Sequence, residues 1–261
     1  MGSAAEGMSK VTPPALELRA VSKRYGSVEA LSEAQLTLRP GEVHALLGDN
    51  GAGKSTLLKI ASGVIPPDDG QVLVDGEEVT MGSPHEARHL GIETVYQDLA
   101  LADDRSAVAN IYMGRELLRS GPLGRFGVLD RVTMRGVVRE EFDRLSIPIA
   151  DARRPVREFS GGQRQGIALA RAAMWAKSIV LLDEPTAALG VRQRAMVHDL
   201  LNALRDRGLG VLLISHDVPE VLRIADTISV LRLGRRVATC AAADVDTRWC
   251  VGAIVGEFDN A

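Results

Sequence analysis

Between the apolar run V-H-A-L-L (43–47) and the helix-patterned stretch T-L-L-K-I-A (56–61) lies G-D-N-G-A-G-K-S, residues 48–55. This segment restricts the fold more than any other in the chain. The pattern G-x-x-x-x-G-K-[ST] needs a strand before it and a helix after it. Its glycines let successive N–H groups curl around phosphate oxygens with no Cβ in the way. Gly48, Asp49, Asn50, Gly51, Ala52, Gly53, Lys54, Ser55 and Thr56 are therefore candidate phosphate-binding residues. Lys54 would reach the β- and γ-phosphates, and the Ser55 hydroxyl would ligate Mg²⁺. The bland alternative is a Gly-rich turn that only caps a helix.

The remaining pattern predicts an α/β fold. L-E-L-R-A (16–20) and L-T-L-R (36–39) alternate apolar and polar residues, as half-buried antiparallel strands do. Asp75-Gly76, inside Q-V-L-V-D-G-E-E-V, signals a hairpin turn. I-V-L-L-D (179–183) and V-L-L-I-S (211–215) are continuously apolar, as buried parallel strands are, and T-I-S-V-L (227–231) is a further strand. Helices are expected over 162–176 and 192–206 and after Pro219. Met134, Val138, Phe142 and Leu145 share one helical face. Alternating strands and helices imply a parallel sheet covered on both faces.

Composition adds exclusions. The 261 residues carry a net charge of −3, which gives no bulk pull towards nucleic acid. Two cysteines, Cys240 and Cys250, are too few for a disulfide framework. No apolar run approaches the roughly 18 residues of a membrane span. The N-terminus lacks a signal-peptide core, and Glu6 stands where a myristoylation signal needs Ser or Thr. The expectation is a soluble intracellular chain.

Two further motifs carry chemistry. The apolar strand ends in Asp183-Glu184: Asp183 could hold the Mg²⁺ shell, and Glu184, one step on, could polarise a water aligned with the γ-phosphate. A lone D-E would more safely be a helix cap or a solvated turn, but after a P-loop and so apolar a strand that alternative loses. Ser160, Gly161, Gly162 and Gln163 open an apolar helix and form a second anion seat.

The P-loop at 48–56, F-S-G-G-Q at 159–163 and V-L-L-D-E-P-T at 180–186, in that order, resemble the ATPase subunit of an ABC transporter. The resemblance runs over roughly Leu16 to Val255. It implies a P-loop NTPase with a RecA-like parallel core (14–97 and 178–255), an antiparallel β subdomain and an inserted α-helical subdomain (98–177), after a flexible tail at 1–13. It implies ATP and Mg²⁺ as cofactors. It also implies that S-G-G-Q faces the ATP of a second, head-to-tail subunit, which explains two phosphate seats in one chain. Tyr25 matches the aromatic that stacks on adenine, Gln97 the glutamine that senses Mg²⁺ and water, and His216 the switch histidine at the γ-phosphate. Glu184, His216, Gln97 and Lys54 form the implied catalytic set, and Ser55, Gln97 and Asp183 the implied metal set. Taken singly, a turn tyrosine, a loop glutamine and a helix-start histidine are the alternatives.

The loop after Glu184 reads P-T-A-A-L-G, with Gly190 where most of the family has Asp. That departure bears on coupling between two sites, not on nucleotide binding. The same variant, together with S-P-H-E-A-R-H-L-G-I-E-T-V-Y-Q-D-L-A-L, is similar to ATPases of simple-sugar importers of the ribose, xylose and fructose type. Many of those carry two fused halves, so one half here implies a homodimer. The implied partners are transmembrane permease subunits, docked near Gln97 and Leu99–Met113, and indirectly a periplasmic sugar-binding protein. The implied location is the cytoplasmic face of the inner membrane. Two readings stay open beside this one: a nucleotide-binding regulator that does not hydrolyse, and an ABC ATPase for a non-sugar solute. A GTPase lacks its N-K-x-D element here, and a chromosome-maintenance ATPase lacks its long heptads.

Overall fold

In the computed structural model, residues 12–187 and 189–257 are described. Most of the expected tail, and Ala188 within the P-T-A-A-L-G loop, lie outside them. The chain opens with β1 (Leu16–Tyr25) and β2 (Val28–Leu38), antiparallel and longer than their alternation suggested. Register shifts within the pair, and positive φ at Ala20 and Glu33, break the two-residue period. β3 (Val43–Leu47) then leads through the Gly-rich loop into α1 (Lys54–Ala61). β4 (Asp69–Val74) and β5 (Glu77–Val79) form the expected hairpin, with positive φ at Asp75 and Gly76.

α2 (Pro84–His89) and β6 (Ile92–Val95) follow. Helices α3 (Ala107–Ile111), α4 (Pro122–Arg125), α5 (Arg131–Arg144) and α6 (Gly161–Trp175) come next. α5 buries the predicted face at Met134, Val138 and Phe142, and Leu145 caps it. β7 (Ile179–Asp183), α7 (Val191–Asp206), β8 (Gly210–Ile214) and α8 (Val218–Ile224) then alternate. α8 starts one residue before Pro219 because Asp217 caps it and proline is tolerated in a first turn. The chain continues through β9 (Thr227–Arg232) and β10 (Arg235–Ala241) to α9 (Thr247–Val255).

The strands form two sheets. One is antiparallel, in order β2-β1-β4-β5. The other runs β10-β9-β3-β8-β7-β6 and is parallel except at the β10 edge. Its central strands alternate between two cores. Val43, Ala45, Val180, Leu182, Val211 and Leu213 face α6, α7 and α8. Leu46, Ile179, Leu181, Leu212 and Ile214 face α1 and the antiparallel sheet. Both faces are therefore buried, and the carboxyl ends of β3, β7 and β8 emerge together. In an open parallel sheet that edge is where a ligand crevice forms.

Candidate nucleotide site

The loop after β3 can only be glycine at its turning points. A Cβ on Gly48 would lie 2.3 Å from the Leu231 carbonyl oxygen. One on Gly53, at φ +105°, would lie 2.6 Å from that of Ala30. This tightness aims the first turn of α1 into the crevice. Lys54 is buried there, and its Nζ donates to the carbonyls of Gly48 (2.7 Å) and Asp49 (2.9 Å). Burial pushes its ammonium pKa down, while Glu184, Asp49 and Asp183 pull it back up.

Asp183 ends β7 next to this lysine. Burial raises its carboxyl pKa, the Glu184 charge raises it further, and Lys54 and Lys59 oppose both. Glu184 leaves the strand in the left-handed region, at φ 49°. Its N–H donates to Ile214 O at 2.9 Å, which pins the turn to β8. Its Oε1 accepts from His216 Nδ1 at 2.9 Å. A carboxylate can only accept, so Nδ1 carries the proton and Nε2 is left for another partner.

A cavity of about 520 Å³ gathers Tyr25, Asn50, Gly51, Gly53, Lys54, Ser55, Thr56, Gln97, Asp183 and Glu184. Gly48, Asp49 and Ala52 form the loop behind it, and His216 joins through Glu184. Val28, Glu29, Ala30 and Ile214 also line it. No motif marks these four; they arrive because the β1–β2 turn and the end of β8 fold over the loop.

The donor set fits a hard cation. Ser55, Gln97 and Asp183 all line the cavity and each has a side-chain oxygen, the donor type Mg²⁺ prefers. Among the described residues, no group of three His, Cys, Asp or Glu is placed to hold a metal alone.

Ser160, Gly161, Gly162 and Gln163 are not brought to this cavity. Ser160 caps α6 and forms a capping box: its Oγ accepts from Gln163 N (3.4 Å), while Gln163 Oε1 accepts from Ser160 N (3.0 Å). Ser160, Gly162 and Gln163 line a separate cavity of about 400 Å³ with Arg192, Gln193 and Met196 of α7. The two cavities share no residue. Gly190 caps α7 and offers no side chain to the cap.

Sequence reasoning missed the polar network behind the site. Thr186 Oγ1 donates to Glu220 Oε2 at 2.6 Å, and His198 Nε2 to Glu220 Oε1 at 2.6 Å. It also missed Arg171 of α6, whose guanidinium donates to the carbonyls of Leu99 (2.9 Å) and Ala100 (2.8 Å). Both of those residues have left-handed φ, 60° and 45°. Sequence separations of 22 to 72 residues hide such pairs.

Comparison with known proteins identifies the family. The sequence profile described as "ABC transporter" matches residues 31–187. The chain is 45% identical to the fructose import ATP-binding protein FrcA of Rhizobium meliloti, over 88% of this chain and 90% of that one. It is 44% identical to the xylose/arabinose import ATP-binding protein XylG of Sulfolobus acidocaldarius, over 84% and 85%. The ribose import ATP-binding protein RbsA 1 of Rubrobacter xylanophilus is 41% identical over 94% of this chain, which spans 48% of that protein's length. Among solved structures, the ATP-binding cassette MJ1267 superposes with a TM-score of 0.80 at 24% identity, over 94% of this chain and 98% of that one. The chain belongs to the ABC transporter family, as an ATP-binding cassette and ATPase.

Proposed function

We propose that this chain energises uptake of a simple sugar, as a homodimer that clamps two Mg·ATP and drives membrane-embedded permease subunits. The observation that carries the clamp is the separation of the two phosphate seats. Lys54 and Glu184 line one cavity and Ser160 another, with no lining residue in common. A second copy, head to tail, would bring its α6 N-terminus to the open γ-phosphate side of the first. Magnesium, held by Ser55, Asp183 and Gln97, would supply charge neutralisation at the β- and γ-oxygens. Lys54 would exchange its carbonyl partners for phosphate oxygens. Glu184, held by His216, would take the proton of the attacking water. Tyr25, half exposed at the cavity edge, would stack on the adenine.

The sugar reading is supported by the three import relatives, whose printed substrates are fructose, xylose or arabinose, and ribose. For the permease, a cavity of about 310 Å³ borders the segment expected to receive it: Ala100, Ile111 and Met113 of that segment line it together with Tyr96, Arg115 and Arg171. Among the described residues no helix is long and apolar enough to cross a membrane, so contact with the bilayer would pass through such subunits. A periplasmic sugar-binding protein would act at one remove.

The clamp is tested by light scattering on Glu184→Gln with saturating Mg·ATP: a dimer is expected, and a persistent monomer refutes it. The substrate is tested in proteoliposomes that combine this chain with a simple-sugar permease and a sugar-binding protein. Hydrolysis rising with ribose, xylose or fructose supports the reading; stimulation only by a non-sugar solute overturns it.

A further inference from the structure

Arg194, in the first turn of α7, reaches in two directions. Its Nε donates to the carbonyl of Leu189 at 3.1 Å, and its Nη1 pairs with Asp217 Oδ2 at 2.7 Å. Leu189 lies near the end of the loop that begins at Glu184. Asp217 directly follows His216, and His216 holds Glu184 at 2.9 Å. These contacts close a ring: from Glu184 along its loop to Leu189, through Arg194 to Asp217 and His216, and back to Glu184. Asp217 is itself fixed, because its Oδ1 accepts from Glu220 N at 3.1 Å as the cap of α8. Arg194 does not line the nucleotide cavity.

The ring meets a physical need. A glutamate in the left-handed region is strained by about 1–3 kcal/mol and stays there only if its surroundings over-determine it. At the other end of the loop, Gly190 provides no side chain to anchor the start of α7. A guanidinium suits the task because its rigid fork presents separate donors to two acceptors at once, which a lysine ammonium does not match. The Arg194–Asp217 pair is 39% and 29% exposed, so it would add little as an isolated ion pair. Its effect lies in joining two segments that must keep one mutual geometry.

We propose that Arg194 is a positioning residue for ATP hydrolysis, clamping the loop after Glu184 to the turn that carries His216. The inference rests on the proposed roles of Glu184 and His216, but its structural half can be read without them.

Two measurements on the full chain test it. In steady-state hydrolysis, Arg194→Ala should lower kcat roughly ten- to a hundredfold, with KM for ATP changed less than about twofold. Arg194→Lys should recover only part of the loss. The double variant Arg194→Ala/His216→Ala should be no slower than His216→Ala, because both act through one geometry. In amide hydrogen exchange without nucleotide, Arg194→Ala should speed exchange over 184–190 and at the start of α8. Parental kcat in Arg194→Ala, or losses that multiply fully in the double variant, overturns the proposal. Unchanged exchange overturns it whatever the activity. A parent chain that fails to hydrolyse ATP sinks the functional reading instead, and exchange then decides on the clamp.

Discussion

His216 and Glu184, 32 residues apart in the chain, meet at 2.9 Å through Nδ1 and Oε1. The contact joins the turn after β8 to the turn after β7, so the parallel sheet itself sets the spacing of the pair. In the role proposed for Glu184, this contact would orient the carboxylate towards the attacking water.

Removing the orienting partner should slow the chemistry without emptying the site. His216→Ala is expected to lower kcat about a hundredfold and to leave ATP binding near its parental strength. Glu184→Gln should lose more turnover still. Phosphate release and fluorescent-nucleotide titration on the same preparations separate the two effects. Weakened binding in His216→Ala would place the histidine in nucleotide capture instead.

Asp183 is expected to cost the nucleotide-free protein stability. Its folded-state pKa lies above the ordinary 3.8, because burial and the Glu184 charge disfavour the ionised form. A raised carboxyl pKa gives stability that is full below the unfolded value and lost as pH rises through the folded one. Asp183→Asn should therefore melt higher than the parent at neutral pH in chelator, and the gap should narrow as pH is lowered towards 3.8. Magnesium with ATP should reverse the order. A variant that melts lower in chelator contradicts this account.

α6 and α7 fit without spare room. A Cβ on Gly162 would fall 2.4 Å from Gln193 Cγ. Gly162→Ala should destabilise by about 1–3 kcal/mol, and Gln193→Ala in the same chain should restore most of it. Thermal melts of the two single variants and the double variant give the coupling directly. Additive losses would mean that the two residues do not meet.

Arg171 holds Leu99 and Ala100 in consecutive left-handed conformations. Arg171→Ala leaves the part-buried Leu99 carbonyl without its partner and the exposed Ala100 carbonyl to water, and a loss of about 1–3 kcal/mol is expected. Amides from Gln97 to Ala102 should exchange faster. Unchanged protection there would show that the segment keeps its shape unaided.

Legibility followed distance along the chain. β7 and β8 were visible because strands buried on both faces are apolar at every position, and α5 because one face repeats at 3.6 residues. β6 was missed because it spans only four residues, Ile92–Val95, with Glu93 buried against Arg115. β10 escaped notice as a largely exposed edge strand without clear alternation, and α9 as a short helix hidden behind a loop-like approach. The P-loop is contiguous and could be read outright. The Glu184–His216 contact, the Thr186–Glu220–His198 network and the Arg194 bridge depend on which loops a sheet places side by side. No local pattern encodes that.

The left-handed backbone at Glu184 has a consequence for how this site can change over time. Glycine at that position would relax the turn at no steric cost, so Glu184→Gly is expected to yield a hardier but inert protein. On the proposed role of Glu184, drift towards robustness would therefore run downhill into inactivity, and only selection for turnover would hold the glutamate there.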